Sequence, residues 1–206
     1  MDNELPSRID DRLRSASNEM TAVNPHRINV LGASGAGTST IGRALATSLG
    51  VPHFESDDYY HAPSDPPFQS VRSPQERHAL ITTDLNAAPF WILSGGVAGW
   101  DPFPQLDFTL MVFVWTPTPI RIERLRRREY ERFGERIREG GDMHRAHEEF
   151  IEWASRYDVG DVDGKTLARH EPYLATQTCP VIQLRDVKPI DEMIDTILSA
   201  FSEFKR

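Results

Sequence analysis

From Arg27 onward, short apolar runs alternate with longer stretches whose apolar residues recur at helical spacing. That alternation predicts strands separated by helices, the pattern of an α/β domain on a parallel sheet. Arg27–Leu31 reads as the first strand and ends at Gly32. A helix begins within Thr38–Thr40 and runs to Leu49, with Ile41, Leu45 and Leu49 on its buried face and Gly50 as its stop. Pro52–Glu55 is a short strand leading into Ser56-Asp57-Asp58-Tyr59-Tyr60, and the proline-rich stretch His61–Arg72 reads as a loop. Ser73-Pro74-Gln75-Glu76 has the form of a capping box with proline at the first helical position, so a helix is expected to about Asn86.

Phe90–Leu93 is the next strand and ends in Ser94-Gly95-Gly96. Phe108–Trp115 is the most hydrophobic strand and is expected at the centre of the sheet. Thr118-Pro119 opens a helix through about Phe133, and Gly140-Gly141 breaks the chain. Asp142 is placed to cap a further helix, in which Met143, His147, Phe150, Ile151 and Ala154 fall at helical spacing. Pro172 interrupts a weak helical signal around Leu167–Leu174. Pro180–Leu184 is the last strand and Pro189–Phe204 the last helix. Residues 1–25 show little apolar periodicity and are expected to form a flexible extension with one short helix near Arg8–Arg14. Residues 26–206 are then one domain, with a lid at about 124–160.

A chain of 206 residues is long enough to bury a sizeable core. No apolar run approaches the roughly 18 residues of a membrane helix, and Met1–Arg27 lacks a signal-peptide core. The one cysteine, Cys179, excludes an internal disulfide and a cysteine-built metal site. These features predict a cytoplasmic protein that does not engage a membrane. The net charge of −8 argues against a general nucleic-acid binder. Yet the segment Arg121–Arg138 holds eight arginines against four glutamates, which marks a place where an anion is handled.

The sequence Gly32-Ala33-Ser34-Gly35-Ala36-Gly37-Thr38-Ser39-Thr40 lies between an expected strand and an expected helix. Small residues there let consecutive backbone N–H groups converge on phosphate oxygens, and the helix N-terminus adds its positive end. This is the context in which a phosphate-binding loop is meaningful. Ser39 occupies the position whose hydroxyl ligates Mg²⁺ in such loops. Thr38 stands where a lysine is expected, and lysine is scarce: Lys165, Lys188 and Lys205 are the only three. A substitute cation is therefore expected to be an arginine, with Arg121–Arg138 as its source.

Gly32–Thr40 followed by Ile41-Gly42-Arg43-Ala44-Leu45-Ala46 resembles the start of adenylate, cytidylate and shikimate kinases. It is more similar still to bacterial adenylate-kinase-like P-loop proteins that carry threonine in place of the lysine. His53–Tyr60, Leu93-Ser94-Gly95-Gly96 and Gly140-Gly141-Asp142-Met143-His144 fit that group, and the likeness extends over about residues 27–204. The resemblance implies a three-layer P-loop fold with a five-stranded parallel sheet flanked by helices, an acceptor-binding region and an arginine-bearing lid.

In the resembled kinases an aspartate after the second strand faces the acceptor or the metal-bound water. Glu55 and Asp57 occupy that region here, and residues two apart at a strand end point the same way. Asp57 is the candidate for base or metal contact, and Glu55 for the acceptor side. A solvated acidic turn is the other reading of these residues. Arg121, Arg124, Arg128 and Arg132 form a stripe on one helix face, with Gly134 and Gly140-Gly141 as hinges. Arg124 and Arg128 are the candidates to close over a transferred phosphoryl group. Arg126, Arg127 and Arg138 read as solvated partners of nearby glutamates. His144, His147 and His170 lack an evident third partner for a metal site. Tyr59, Arg72, Gly95, Gly96 and Trp100 complete the expected acceptor region, with Trp100 the candidate to stack on a ring. Arg72 and Arg77 would meet an acceptor phosphate.

The expected activity is an ATP- and Mg²⁺-dependent kinase acting on a nucleoside monophosphate, a nucleoside or another hydroxyl compound, working as monomer or homodimer. The alternative is a non-catalytic ATP-binding sensor, which Thr38 favours.

Overall fold

Strands covered on both faces have no polar side to show, and the apolar runs read from the chain take that position. The structure, a computed structural model, describes residues 26–100 and 106–203. The expected extension, its helix near Arg8–Arg14, and Phe204 lie outside the described residues. In chain order the elements are β1 (Arg27–Gly32), α1 (Thr38–Leu49), β2 (His53–Glu55), α2 (Ser56–Tyr60), β3 (His61–Ala62), β4 (Ser70–Val71) and α3 (Pro74–Asn86). There follow β5 (Trp91–Ser94), β6 (Leu110–Val114), α4 (Thr118–Phe133), a 3₁₀ turn (Gly134–Ile137), α5 (His144–Ser155), α6 (Leu167–Ala175), β7 (Val181–Leu184) and α7 (Ile190–Glu203). Five strands form one sheet in the order β2-β5-β1-β6-β7. Every pairing in it is parallel. This is the α/β sheet flanked by helices that the alternation predicts.

Alternate residues of each strand serve opposite layers. Ile28 and Val30 of β1, with Leu110, Val112 and Val114 of β6, pack with Ile41 and Leu45 of α1 and Ile194, Ile197 and Phe201 of α7. Leu31, Met111 and Phe113 meet Leu174 of α6 on the other side. Trp91 and Leu93 meet Ile81 and Leu85 of α3. The centre of the sheet is β1, not the more hydrophobic β6, which lies one place over. Both are wholly enclosed, and hydrophobicity alone does not order two enclosed strands.

The crossover leaving β1 runs toward β2 and the one leaving β6 runs toward β7, in opposite directions. A crevice opens at the carboxyl ends of such neighbours, where α/β sheets bind ligands.

Local chemistry explains most boundaries. Gly50 ends α1 in the left-handed conformation. The Ser73–Glu76 capping box is formed in both directions. Two expectations are corrected. Asp142 does not cap α5, which starts at His144 after Met143; its carboxylate is held instead by Arg136 at 2.7 Å. The α6 helix continues through Pro172. Proline removes one backbone donor there, but His170 and Leu174 hold the segment by burial, and Tyr157 pairs its hydroxyl with His170 Nδ1 at 2.8 Å.

Candidate functional site

The loop between β1 and α1 is shaped by glycine at two positions. Gly37 precedes α1 with φ 103° and Gly35 has φ 80°, values that side chains resist. At Gly35 space is also decisive: a Cβ would stand 2.7 Å from Arg121 O and 3.0 Å from Leu125 Cγ of α4. The loop and the helix backbone therefore touch.

Polar groups buttress the loop from behind. Thr116 Oγ1 donates to Ala36 O at 3.2 Å. Ser94 Oγ donates to Thr38 O at 3.1 Å and lies 2.9 Å from His53 Nε2. Burial, then the charge of Arg43, hold His53 below its ordinary pKa, which favours the neutral ring. Asn29 is fully buried in β1 and donates to Leu93 O and Gly95 O, both at 2.9 Å. Gly95 N in turn donates to Val30 O at 2.9 Å.

The loop opens on a cleft of about 1120 Å³. Gly35, Ala36, Gly37, Thr38, Ser39 and Thr40 form its floor. Gly32 is the last residue of β1, in register with Val114, and Ser34 O accepts from Arg121; these two support the floor rather than line it. Glu55 and Asp57 lie on one wall, and Arg124, Arg128 and Arg132 of α4 lie on another. Phe68 and Gln69 from the β3–β4 connection, and Lys188 and Met193 from the last crossover, complete it.

Ser39 Oγ donates to Glu55 Oε2 at 2.8 Å, and Arg43 Nη2 is 3.5 Å from Glu55 Oε1. Burial raises the Glu55 pKa above its ordinary value, while the Ser39 hydrogen bond and Arg43 pull it back. Glu55 and Asp57 do not share a strand face, because the backbone turns helical at Ser56. Asp57 lies in the first turn of α2 and is paired with Lys165 at 3.6 Å. The oxygen set beside the loop is thus Ser39 and Glu55, with Asp57 farther along the same cleft. Hard oxygen donors against amide donors suit Mg²⁺ with a polyphosphate.

The arginines of α4 have unlike surroundings. Arg121 is removed from solvent and belongs to the scaffold rather than the stripe. It donates to Thr116 O at 3.0 Å, Ser34 O at 3.2 Å, Ala154 O at 3.0 Å and Thr118 Oγ1 at 2.8 Å. Its charge faces Asp158 at 3.4 Å. Burial pushes Asp158 up, but hydrogen bonds from Thr118 and Trp115 and the charge of Arg121 outweigh it and keep the carboxylate below its usual range. One turn on, Arg124 Nη1 reaches Ala36 O at 3.4 Å. Arg128 pairs with Glu129 at 2.9 Å, and Arg132 lies over the Phe68 ring at 5.7 Å. Arg136 bridges Asp142 and, at 3.0 Å, Asp65 on the β3–β4 connection.

Glu55 lines this cleft, but the other expected acceptor residues are not part of its lining. Tyr59 is buried and donates to Asp84 Oδ2 at 2.9 Å. Arg72 clamps the carbonyls of Asp58, Tyr59 and His61. Trp100 is buried, and Arg77 lies between it and Tyr60 at 5.1 and 5.0 Å. Trp100 therefore stacks on a guanidinium; Arg72 spends Nη1 on backbone carbonyls, and Arg77, whose Nε is buried without a hydrogen-bond partner among the described residues, does not line the cleft. Gly95 O accepts from Asn29, and a Cβ on Gly96 would stand 3.5 Å from His170 Nε2. Among the described residues no group of three His, Cys, Asp or Glu side chains is placed to hold a metal. His170, pushed down to about 4 by burial, is a neutral core residue. Sequence reading missed Lys188 and Met193 as cleft residues, and no local signal marks them, since the tertiary fold alone brings them there.

No family model matches the chain. The uncharacterized protein YqaC of Bacillus subtilis (strain 168) is 40% identical over 175 residues, spanning 85% of this chain and 97% of YqaC. Among solved structures, a shikimate kinase from Acinetobacter baumannii in complex with shikimate superposes with a TM-score of 0.50 at 17% identity, covering 91% of this chain and 97% of that one. A gluconokinase from Sinorhizobium meliloti 1021 gives 0.47 at 18% identity, covering 88% and 94%. Likeness at the identity of the A. baumannii enzyme shows a shared fold and no more. In the described residues no helix is long and apolar enough to cross a membrane. The strand order, the glycine loop at the end of β1 and the extent of the match to YqaC lead to one assignment: the chain has a shikimate-kinase-like P-loop fold and belongs to the family of YqaC.

Proposed function

We propose that this protein is an ATP- and Mg²⁺-dependent kinase that transfers the γ-phosphate to a hydroxyl of a small molecule. The observation that carries the reading is the convergence, on one cleft, of three features. They are the glycine-shaped loop, the Ser39–Glu55 oxygen pair and the arginine face of α4. Ser39 and Glu55 would hold Mg²⁺, which supplies charge neutralisation at the phosphate oxygens when bound. The amides of Gly35–Thr40 orient the polyphosphate, and the N-terminus of α1 adds its dipole. Asp57 is the group proposed to accept the proton of the attacking hydroxyl, with Lys165 fixing its position. Arg128 swings from Glu129 onto the transferred group, and segment 124–160 acts as the lid that excludes water.

The acceptor is proposed to sit toward Asp57 and Phe68, rather than between Arg72 and Trp100. With Arg72 and Arg77 both outside the cleft lining, no cleft feature favours a nucleoside monophosphate over other hydroxyl compounds. One observation favours a second reading: Thr38 leaves the loop without its own charge, as in a sensor that binds ATP without turnover.

A coupled ADP-release assay over nucleoside monophosphates, nucleosides, sugars and cyclic polyols separates the two. The kinase reading predicts acceptor-stimulated release above the ATP-only rate. Saturable ATP binding with no stimulation across the panel leaves the sensor.

A further inference from the structure

We infer that Arg124 supplies from α4 the positive charge that the loop lacks at Thr38, contacting the β- and γ-phosphates in the ground state. The inference rests on the nucleotide-binding reading and names the residue that makes it work without lysine.

Six cations line the cleft: Arg43, Arg124, Arg127, Arg128, Arg132 and Lys188. Arg43 is engaged by Glu55 at 3.5 Å and Arg128 by Glu129 at 2.9 Å. Arg132 lies over the rings of Phe68 and Phe133, both at 5.7 Å. Arg127 and Lys188 are exposed, so water already solvates them. Arg124 differs from all five. It is half-buried, and among the described residues no acid lies within ion-pair distance of it. Its one protein hydrogen bond is a long contact to Ala36 O at 3.4 Å. A guanidinium carries five N–H donors. Partial burial of so many donors beside a single carbonyl is unfavourable until an anion arrives.

Its position is also fixed. Arg124 Nη1 stands 3.8 Å from where a Cβ on Gly37 would be. Arg121, three residues earlier and so on the same face, is locked to the loop through Ser34 O. The bare Gly35 lets the α4 backbone lie against the loop, which brings the next turn over the amides. The charge is therefore held at the loop by helix packing, where a lysine would be held by the loop itself.

The test is isothermal calorimetry with Mg²⁺·ATP, and with Mg²⁺ and inorganic tripolyphosphate as a probe lacking base and ribose. Arg124→Gln removes the charge and keeps an amide donor, on a side chain two bonds shorter that withdraws from Ala36 O. It is expected to weaken both ligands by about 10- to 100-fold, the scale of one charge-assisted contact. Arg124→Lys should lose less. Thr38→Lys in the Arg124→Gln background should recover most of the loss, an outcome that a merely structural role for Arg124 would not give. Arg126→Ala, an exposed arginine outside this cleft, should bind as the unaltered protein does. Unaltered affinity in Arg124→Gln, or no recovery in the double variant, overturns the assignment and leaves nucleotide binding standing. Absence of binding by the unaltered protein would instead remove the nucleotide reading itself.

Discussion

Glu55 shows how one side chain ties stability to chemistry. Burial raises the proton affinity of its carboxyl, and the nearby acids Asp57 and Asp58 push the same way against Ser39 and Arg43. The folded protein therefore holds that proton more tightly than the unfolded chain does. The resulting stabilisation is fully present below the ordinary value of 4.5 and disappears as pH rises through the raised value. Across this window the difference in denaturant midpoint between the unaltered protein and Glu55→Gln should fall with pH, the variant removing the Glu55 component while the lowered acids such as Asp158 act alike in both. The same proton competes with a metal, so Mg²⁺ affinity should fall as pH drops through the raised value. A pH profile of stability identical in both proteins would show that Glu55 is not the group responsible. Sequence indicated that an acid belongs here but favoured Asp57. Strand periodicity does not extend past Glu55, because pairing with β5 stops at the Glu55–Ser94 register. The acidic residues that follow suit the first turn of a helix instead.

Helix α4 is pinned at one end and solvated along much of the rest. Its apolar face was legible, and so was its proline start, and the stripe singled out Arg124 and Arg128, but not the buried role of Arg121. Spacing reports which residues share a face, not how near that face comes to a neighbour. Only the fold shows that the first turn meets the loop, so that Arg121 is scaffold while Arg124, already a candidate from its spacing, reaches Ala36 O. Arg121 serves carbonyls from β1's loop, from Thr116 and from α5 at once. Arg121→Met should therefore cost about 3 kcal/mol in urea unfolding, since buried acceptors lose their donor. A loss under about 1 kcal/mol would mean that water replaces the guanidinium cheaply.

For the molecule as a whole, a parallel sheet flanked by helices was implied by strand–helix alternation and the crevice by the loop at the end of β1, but the strand order was not, since hydrophobicity pointed to β6 rather than β1 as the centre. The acceptor region was not either, because the half-buried Arg72 clamp on backbone carbonyls and the buried Arg77 between two rings use residue types that a ligand site would also use. Net charge tells a similar story. The chain carries −8 overall, yet five arginines and a lysine face one cleft. Attraction of a polyanion is local and is opposed at long range by the remaining acids. Raising monovalent salt from about 50 to about 500 mM should weaken Mg²⁺·ATP binding on the order of fivefold as screening shortens. Salt-independent affinity would place the recognition in neutral amides alone.

Trp153 packs its indole flat against Phe150 at 6.1 Å, and Phe150 faces the cleft. The indole nitrogen is tied to Asp163 O at 2.8 Å. The fluorophore is thus one ring removed from any occupant and restrained at its far end. The chain has three other tryptophans, so the difference in emission between the unaltered protein and Trp153→Phe is the optical gauge to follow during a titration, without attaching a dye.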